Sequence, residues 1–191
     1  MKYIKWFVAI GILAIIAYSL LNRPSFESIT MKNREEYKAS LLTMENPPLK
    51  DDDGVQFFEP NETMVIDATL KRLEKPENYK MAMTDTTQEE AKLAGKLNFT
   101  LEGKAYSLLV FEEGETLMLP FKDASNGKST YGGGRYVNIP AKDLDPAHVH
   151  IDFNEAHNFY CAYNSSYICP VPPAANTIAA AINAGEKTFK P

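Results

Sequence analysis

What the chain lacks narrows its function before any motif is read. It has no excess of positive charge: the formal net charge is −5 over 191 residues, and the three positive charges of the first 23 leave −8 for the rest. An acidic body repels phosphate backbones and anionic lipid heads, which argues against a nucleic-acid partner. No cysteine lies near the N-terminus to accept lipid, which excludes a lipoprotein. The run Gly132-Gly133-Gly134-Arg135 lacks the Walker spacing and no helix is predicted after it, so nucleotide binding by that route is unsupported. Asp51-Asp52-Asp53-Gly54 lacks the EF-hand spacing and reads as a solvated turn rather than a calcium loop. There is no internal repeat, and strands do not alternate with helices, which argues against a parallel sheet. No nucleophile–base pair stands out, and no cofactor is expected.

One long uncharged run is present. Trp6 to Leu21 spans 16 residues without a charge, behind Lys2 and Lys5. As a helix it reaches roughly 24 Å, marginal for a hydrocarbon core of about 30 Å. Tyr3, Trp6 and Tyr18 suit the membrane interfaces and extend it. A membrane anchor leads. A cleaved signal peptide with Ala17-Tyr18-Ser19 at the cut, and a buried globular helix, are the alternatives. Residues 1–23 are therefore expected to be an anchor or signal, with the membrane as partner through residues 4–21. Residues 24–33 read as a linker and 34–191 as a single β-rich domain. Lys2 and Lys5 favour an inside N-terminus, but Arg23, Lys32, Arg34 and Lys38 crowd the other end. An extracytoplasmic body in the bacterial envelope is expected, inner-membrane or, after cleavage, periplasmic.

The body begins with a helix from Thr30 to about Leu42, with Thr30 as cap and Tyr37 and Leu41 on one face. Strand patterns then dominate. Met64, Ile66, Ala68 and Leu70 alternate with polar neighbours, and Tyr79 to Thr84 extends the pattern. Leu97, Phe99 and Leu101 face Tyr106, Leu108 and Val110 across Glu102-Gly103, a hairpin with a two-residue turn. Leu109 and Phe111 make the second of these strands apolar on both faces, so it is placed centrally. Leu117 to Phe121, Tyr136 to Ile139 and His148 to Phe153 add three strands. Thr177 to Ala184 fits helix or strand, and strand is preferred. The fold class is mainly β: an antiparallel sandwich or open barrel with one N-terminal helix.

Both cysteines and all three histidines fall between Phe121 and Glu186. This stretch carries Phe121-Lys122-Asp123, Asn126-Gly127, Thr130-Tyr131-Gly132-Gly133-Gly134-Arg135-Tyr136, Asp152-Phe153-Asn154, Cys161-Ala162-Tyr163-Asn164, Cys169-Pro170-Val171-Pro172-Pro173, Asn176 and Ala184-Gly185-Glu186-Lys187. In these motifs the chain resembles the bacterial proteins grouped as domain of unknown function 1684, with weaker similarity back through Gly95-Lys96-Leu97-Asn98-Phe99 to Arg34. The resemblance implies that the polar motif residues belong together; it implies no activity. His148, His150 and His157 are not motif positions of that family.

Cys161 and Cys169, with seven residues between them, are expected to form a disulfide, since closing such a loop contributes about 2.5 kcal/mol and suits an oxidising compartment. Free structural thiols are the alternative. Zinc is a further reading: His148 and His150 share a strand face, and His157 and Cys161 follow closely. Arg135, always charged, is expected to pair with Asp123 or Asp152. Asp123, Tyr131, Arg135, Asp152 and Asn154 remain as the candidate binding set. A non-enzymatic module binding a small ligand or a protein is the leading function. A hydrolase using Arg135, Asp152 and Asn154 is the alternative. The two are told apart by whether these side chains converge in an open pocket or close into a satisfied network.

Overall fold

The computed structural model describes Trp6, Gly11, Ile12, Tyr18 and residues 22–190. The anchor or signal expected over residues 1–23 falls almost wholly outside these. Among the described residues no helix is long and apolar enough to cross a membrane.

Helix α1 runs Phe26–Thr43, starting earlier than expected. Ser25 caps it, its hydroxyl accepting from Ser28 N at 3.1 Å. Residues 26–33 are thus helical rather than a linker. Thr30, expected as the cap, is buried on the inner face with Arg34 and Leu41. These three recur at helical spacing, so one stripe of α1 faces inward, where Leu41 packs with Leu49 and Val55.

Six strands follow: β1 Val65–Ala82, β2 Gln88–Leu101, β3 Lys104–Glu113, β4 Thr116–Phe121, β5 Arg135–Pro140 and β6 Val149–Asp152. They form one antiparallel sheet in the order β5-β4-β3-β2-β1-β6. The sheet curls until its edges β5 and β6 approach, giving a nearly closed barrel rather than a sandwich of two sheets. The seam is stitched just beyond β6, where Tyr136 and His157 exchange backbone hydrogen bonds at 3.0 Å.

The β2–β3 hairpin is as expected, pairing Phe99 with Tyr106 and Leu97 with Leu108. Glu102 and Gly103 both take positive φ, 51° and 75°, the turn whose twist matches that of the flanking strands. β3 lies inside the sheet and buries both faces: Leu108 and Val110 belong to the main core, Phe111 to a second cluster with Met81, Met83 and Met118. β1 bulges between Arg72 and Glu77, opposite Gly95. A Cβ on Gly95 would stand 2.4 Å from the Lys71 carbonyl oxygen, so only glycine fits this crossing.

The stretch Thr177–Ala184 is not the preferred strand. It is an irregular segment whose Ile178, Ile182 and Ala184 complete the main core. Ile178 N donates to Lys122 O at 2.8 Å, and Lys122 N to Asn176 O at 2.9 Å. Asn176 is fully buried where β3 and β4 diverge. Its side chain accepts from Leu109 N at 2.8 Å and donates to Leu109 O at 2.8 Å and Pro120 O at 2.7 Å. The amide thereby replaces the missing strand partner, as buried backbone polar groups demand.

Candidate functional site

The five expected site residues separate into three places. Arg135 is fully buried and forms an ion pair with Asp123 at 3.0 Å, choosing Asp123 over Asp152. The rest of its guanidinium serves the C-terminal segment. Nη1 donates to Ala184 O and, at 3.2 Å, to Glu186 O, while Nη2 donates to Ile182 O at 2.8 Å. Asp123 Oδ1 accepts from Ser125 N at 2.7 Å and Ile182 N at 3.2 Å. Burial lowers the pKa of Arg135 and Asp123 holds it up. Among the described residues only Nε of this group lacks a partner. The pair is a closed anchor for an irregular segment and offers no open face for catalysis.

Asp152 and Asn154 form a second unit. Asp152 Oδ1 accepts from Asn154 N and Nδ2, each at 2.8 Å. Asn154 is fully buried and pairs with the Asn61 backbone, accepting from its N–H at 2.8 Å and donating to its carbonyl at 2.9 Å. No hydrogen bond or ion pair joins this unit to Asp123–Arg135 among the described residues. Arg135, Asp152 and Asn154 therefore do not assemble the expected hydrolase set.

Tyr131 belongs to the third place, beside the cysteines. These are free thiols rather than the expected disulfide. They are neighbours, with Cys161 N donating to Cys169 Sγ at 3.2 Å and the Tyr131 hydroxyl donating to Cys161 Sγ at 3.8 Å.

The zinc reading fails on geometry. His148 Nδ1 meets Asp145 at 2.9 Å and His150 Nδ1 meets Asp67 at 2.8 Å, both exposed. His157 Nδ1 meets the Glu155 carbonyl at 3.2 Å, and Cys161 faces Cys169. Among the described residues no group of three or more His, Cys, Asp or Glu could hold a metal ion.

The structure instead opens a cleft of about 440 Å³ between α1 and the outer side of the barrel seam. Phe57, Val137, Ile139 and Pro140 give it apolar walls, and Arg34, Asp152, Glu155 and His157 give it polar groups. Arg34 is 3% exposed and donates to Phe58 O at 2.7 Å and Asn154 O at 3.4 Å, while its Nε is buried without a partner. Asn33 Nδ2 donates to Glu155 Oε1 at 3.2 Å, and burial raises the pKa of Glu155. Burial lowers the pKa of His157, which packs on Tyr37 with ring centroids 5.0 Å apart.

Behind the cleft lies a buried relay. Tyr37 and Tyr163 share a hydroxyl hydrogen bond of 2.8 Å, and Tyr163 donates to the fully buried Glu186 carboxyl at 2.8 Å. Asn158 N donates to the same carboxyl at 2.8 Å. Burial pushes Glu186 up to about 7. Sequence reasoning missed Arg34, Tyr37, Tyr163 and Glu186 as a set. The available signals were that Tyr163 and Glu186 fall in the family motifs and that Arg34, Tyr37 and Leu41 share a helix face.

The chain is a barrel-like antiparallel domain with a lateral cleft and a buried Arg–Asp anchor. It belongs to the family described as "Protein of unknown function (DUF1684)", whose model matches residues 50–187. A solution NMR structure of an uncharacterized protein from Haloarcula marismortui is 31% identical. The match covers 85% of this chain and 94% of that one, with a TM-score of 0.69. No curated protein matches the chain.

Proposed function

We propose that the chain is a binding domain of the bacterial cell envelope, and that its ligand is a small amphipathic zwitterion held in the seam cleft. The observation that carries this reading is the cleft's chemistry: apolar walls, a buried Arg34 Nε without a partner, and the Asp152 and Glu155 carboxylates together. The Arg34 guanidinium among the lining groups suits a carboxylate of the ligand. The carboxylates suit an ammonium, and Phe57, Ile139 and Pro140 suit an apolar body. Apolar amino acids and the ends of apolar peptides combine these features. The envelope location rests on the uncharged run from Trp6 to Leu21 behind Lys2 and Lys5.

The test uses L-leucine, isoamylamine and isocaproate, which isolate the two charges. Chemical-shift mapping should place leucine at Asn33, Ile139 and His157, with both single-charge analogues binding more weakly. Glu155→Gln should weaken leucine and isoamylamine but not isocaproate. Absence of shifts at the cleft with all three compounds would refute the reading. Carbonate extraction of membranes tests location: a chain found only in the cytoplasmic fraction would overturn it.

A further inference from the structure

We propose that Cys161 and Cys169 form a thiol–disulfide exchange site, with Cys161 as the attacking thiol, Cys169 as the resolving thiol and a cationic low-molecular-weight disulfide as substrate. The two thiols are built unequally. Cys161 is half-exposed and lines a pocket of about 280 Å³ with Tyr131, Asp85 and Tyr167. Cys169 is 2% exposed and outside that lining. It is fixed from two sides, its N–H donating to Thr84 Oγ1 at 3.0 Å and its carbonyl accepting from Thr84 N at 2.9 Å. A substrate in the pocket thus meets Cys161 first, while Cys169 waits behind it within reach of the same sulfur.

The Tyr131 hydroxyl donates to Cys161 Sγ at 3.8 Å, and the neighbouring Cys169 with this hydroxyl brings Cys161 down to about 7 against burial. The neighbouring Cys161 sulfur and burial push the Cys169 thiol up. An attacking thiol works best when its pKa lies near ambient pH. Asp85 lies in the pocket, where hydrogen bonds from Thr87 lower its pKa and keep it anionic. That charge favours a cationic disulfide.

The exchange balances in two steps. The Cys161 thiolate attacks one sulfur of the substrate, the substrate S–S bond breaks, and one thiolate leaves. That thiolate takes the Cys169 proton, the Cys169 sulfur attacks Cys161 Sγ, and the second substrate thiolate leaves and is protonated by solvent. The pair loses two electrons, and the substrate disulfide gains them as two thiols.

The test treats the reduced full chain with cystamine, quenches with acid, and maps the products by mass spectrometry. Wild type should end as the internal Cys161–Cys169 disulfide, returning to the dithiol with dithiothreitol under native conditions. Cys169→Ser should accumulate a mixed disulfide on Cys161. In unmutated chain, limiting iodoacetamide should label Cys161 about tenfold or more faster than Cys169, which needs no variant to fold. Tyr131→Phe should raise the pH midpoint of Cys161 alkylation by about one unit, the scale of a lost hydrogen bond. Preferential modification of Cys169, or a Cys161 midpoint at the value of an ordinary thiol in wild type, would overturn the proposal. So would a disulfide that resists dithiothreitol until the chain unfolds, since that marks a permanent staple.

Discussion

Replacing Arg135 by methionine isolates the anchor beneath the C-terminal segment. The guanidinium makes four hydrogen bonds, to Asp123 and to the carbonyls of Ile182, Ala184 and Glu186, and it is fully buried. Arg135→Met keeps much of the stem and removes the guanidinium, whose Cζ stands 5.3 Å from the Phe121 ring centroid, so the loss is mainly electrostatic. Asp123 is left as a buried carboxylate with only Ser125 N and Ile182 N as donors. Breaking a buried ion pair on one side costs about 3–5 kcal/mol. The orphaned carbonyls push towards the upper end of that range. At 2–4 °C per kcal/mol for a chain of this size, the melting midpoint should fall by roughly 6–20 °C. Urea unfolding followed by far-UV circular dichroism measures it. Asp123→Asn alone should also destabilise, and the double variant should recover about 2 kcal/mol relative to additivity, because no charge is then stranded. A loss below about 1 kcal/mol for Arg135→Met, or a strictly additive double variant, would refute the anchor.

Three further outcomes follow from the same geometry. Asn176→Ala strips three buried backbone groups of their partner and should cost roughly 2–4 kcal/mol in urea unfolding; a cost under 1 kcal/mol, about one ordinary hydrogen bond, would show that β3 and β4 do not need the amide. Gly95→Ala must force the β1 bulge apart and should cost about 1–3 kcal/mol by the same assay, whereas an unchanged midpoint would refute the close approach. Glu186 titrates near 7 when folded against an ordinary 4.5, so the fold favours its protonated form. Its contribution is full below pH 4.5 and is lost as pH rises towards 7. Melting midpoints of Glu186→Gln should therefore gain on wild type across that window, and a difference that is flat with pH would rule the effect out.

Local physics made much of the sheet legible. Alternation at Leu97-Phe99-Leu101 and Tyr106-Leu108-Val110 and the turn at Glu102-Gly103 identify the hairpin, because side chains of a strand with one buried face must alternate. The doubly apolar Leu109 and Phe111 place β3 inside. The C-terminal segment misled because Ile178, Ile182 and Ala184 are buried at even spacing without any strand. Their backbone is held by Arg135, Asp123 and Lys122, far away in sequence, and no local pattern encodes that. The expected polar set was half right. Asp123 with Arg135 follows from the need of a buried cation for a partner, but the separate Asp152–Asn154 unit depends on the path of Asn61. The cleft residues were hidden for the same reason. Arg34 and Tyr37 read as an ordinary helix face until the seam behind them is seen. The histidines drew attention by residue type alone, yet His148 and His150 point outward to Asp145 and Asp67.

The Arg135 anchor also sets an order of events during synthesis. Its carbonyl partners lie 47 to 51 residues downstream. The six strands are therefore complete, and Arg135 already stands on β5 beside Asp123, before the segment that supplies its carbonyl partners has been made. A nascent chain halted after Asp152 has every strand but lacks Ile178, Ile182 and Ala184 in its core. Chaperones would meet it as an open, sticky barrel whose Arg135–Asp123 pair still lacks its carbonyl partners. The final collapse waits for the stretch without regular structure, so a premature stop in that stretch should be as damaging to folding as the loss of a strand.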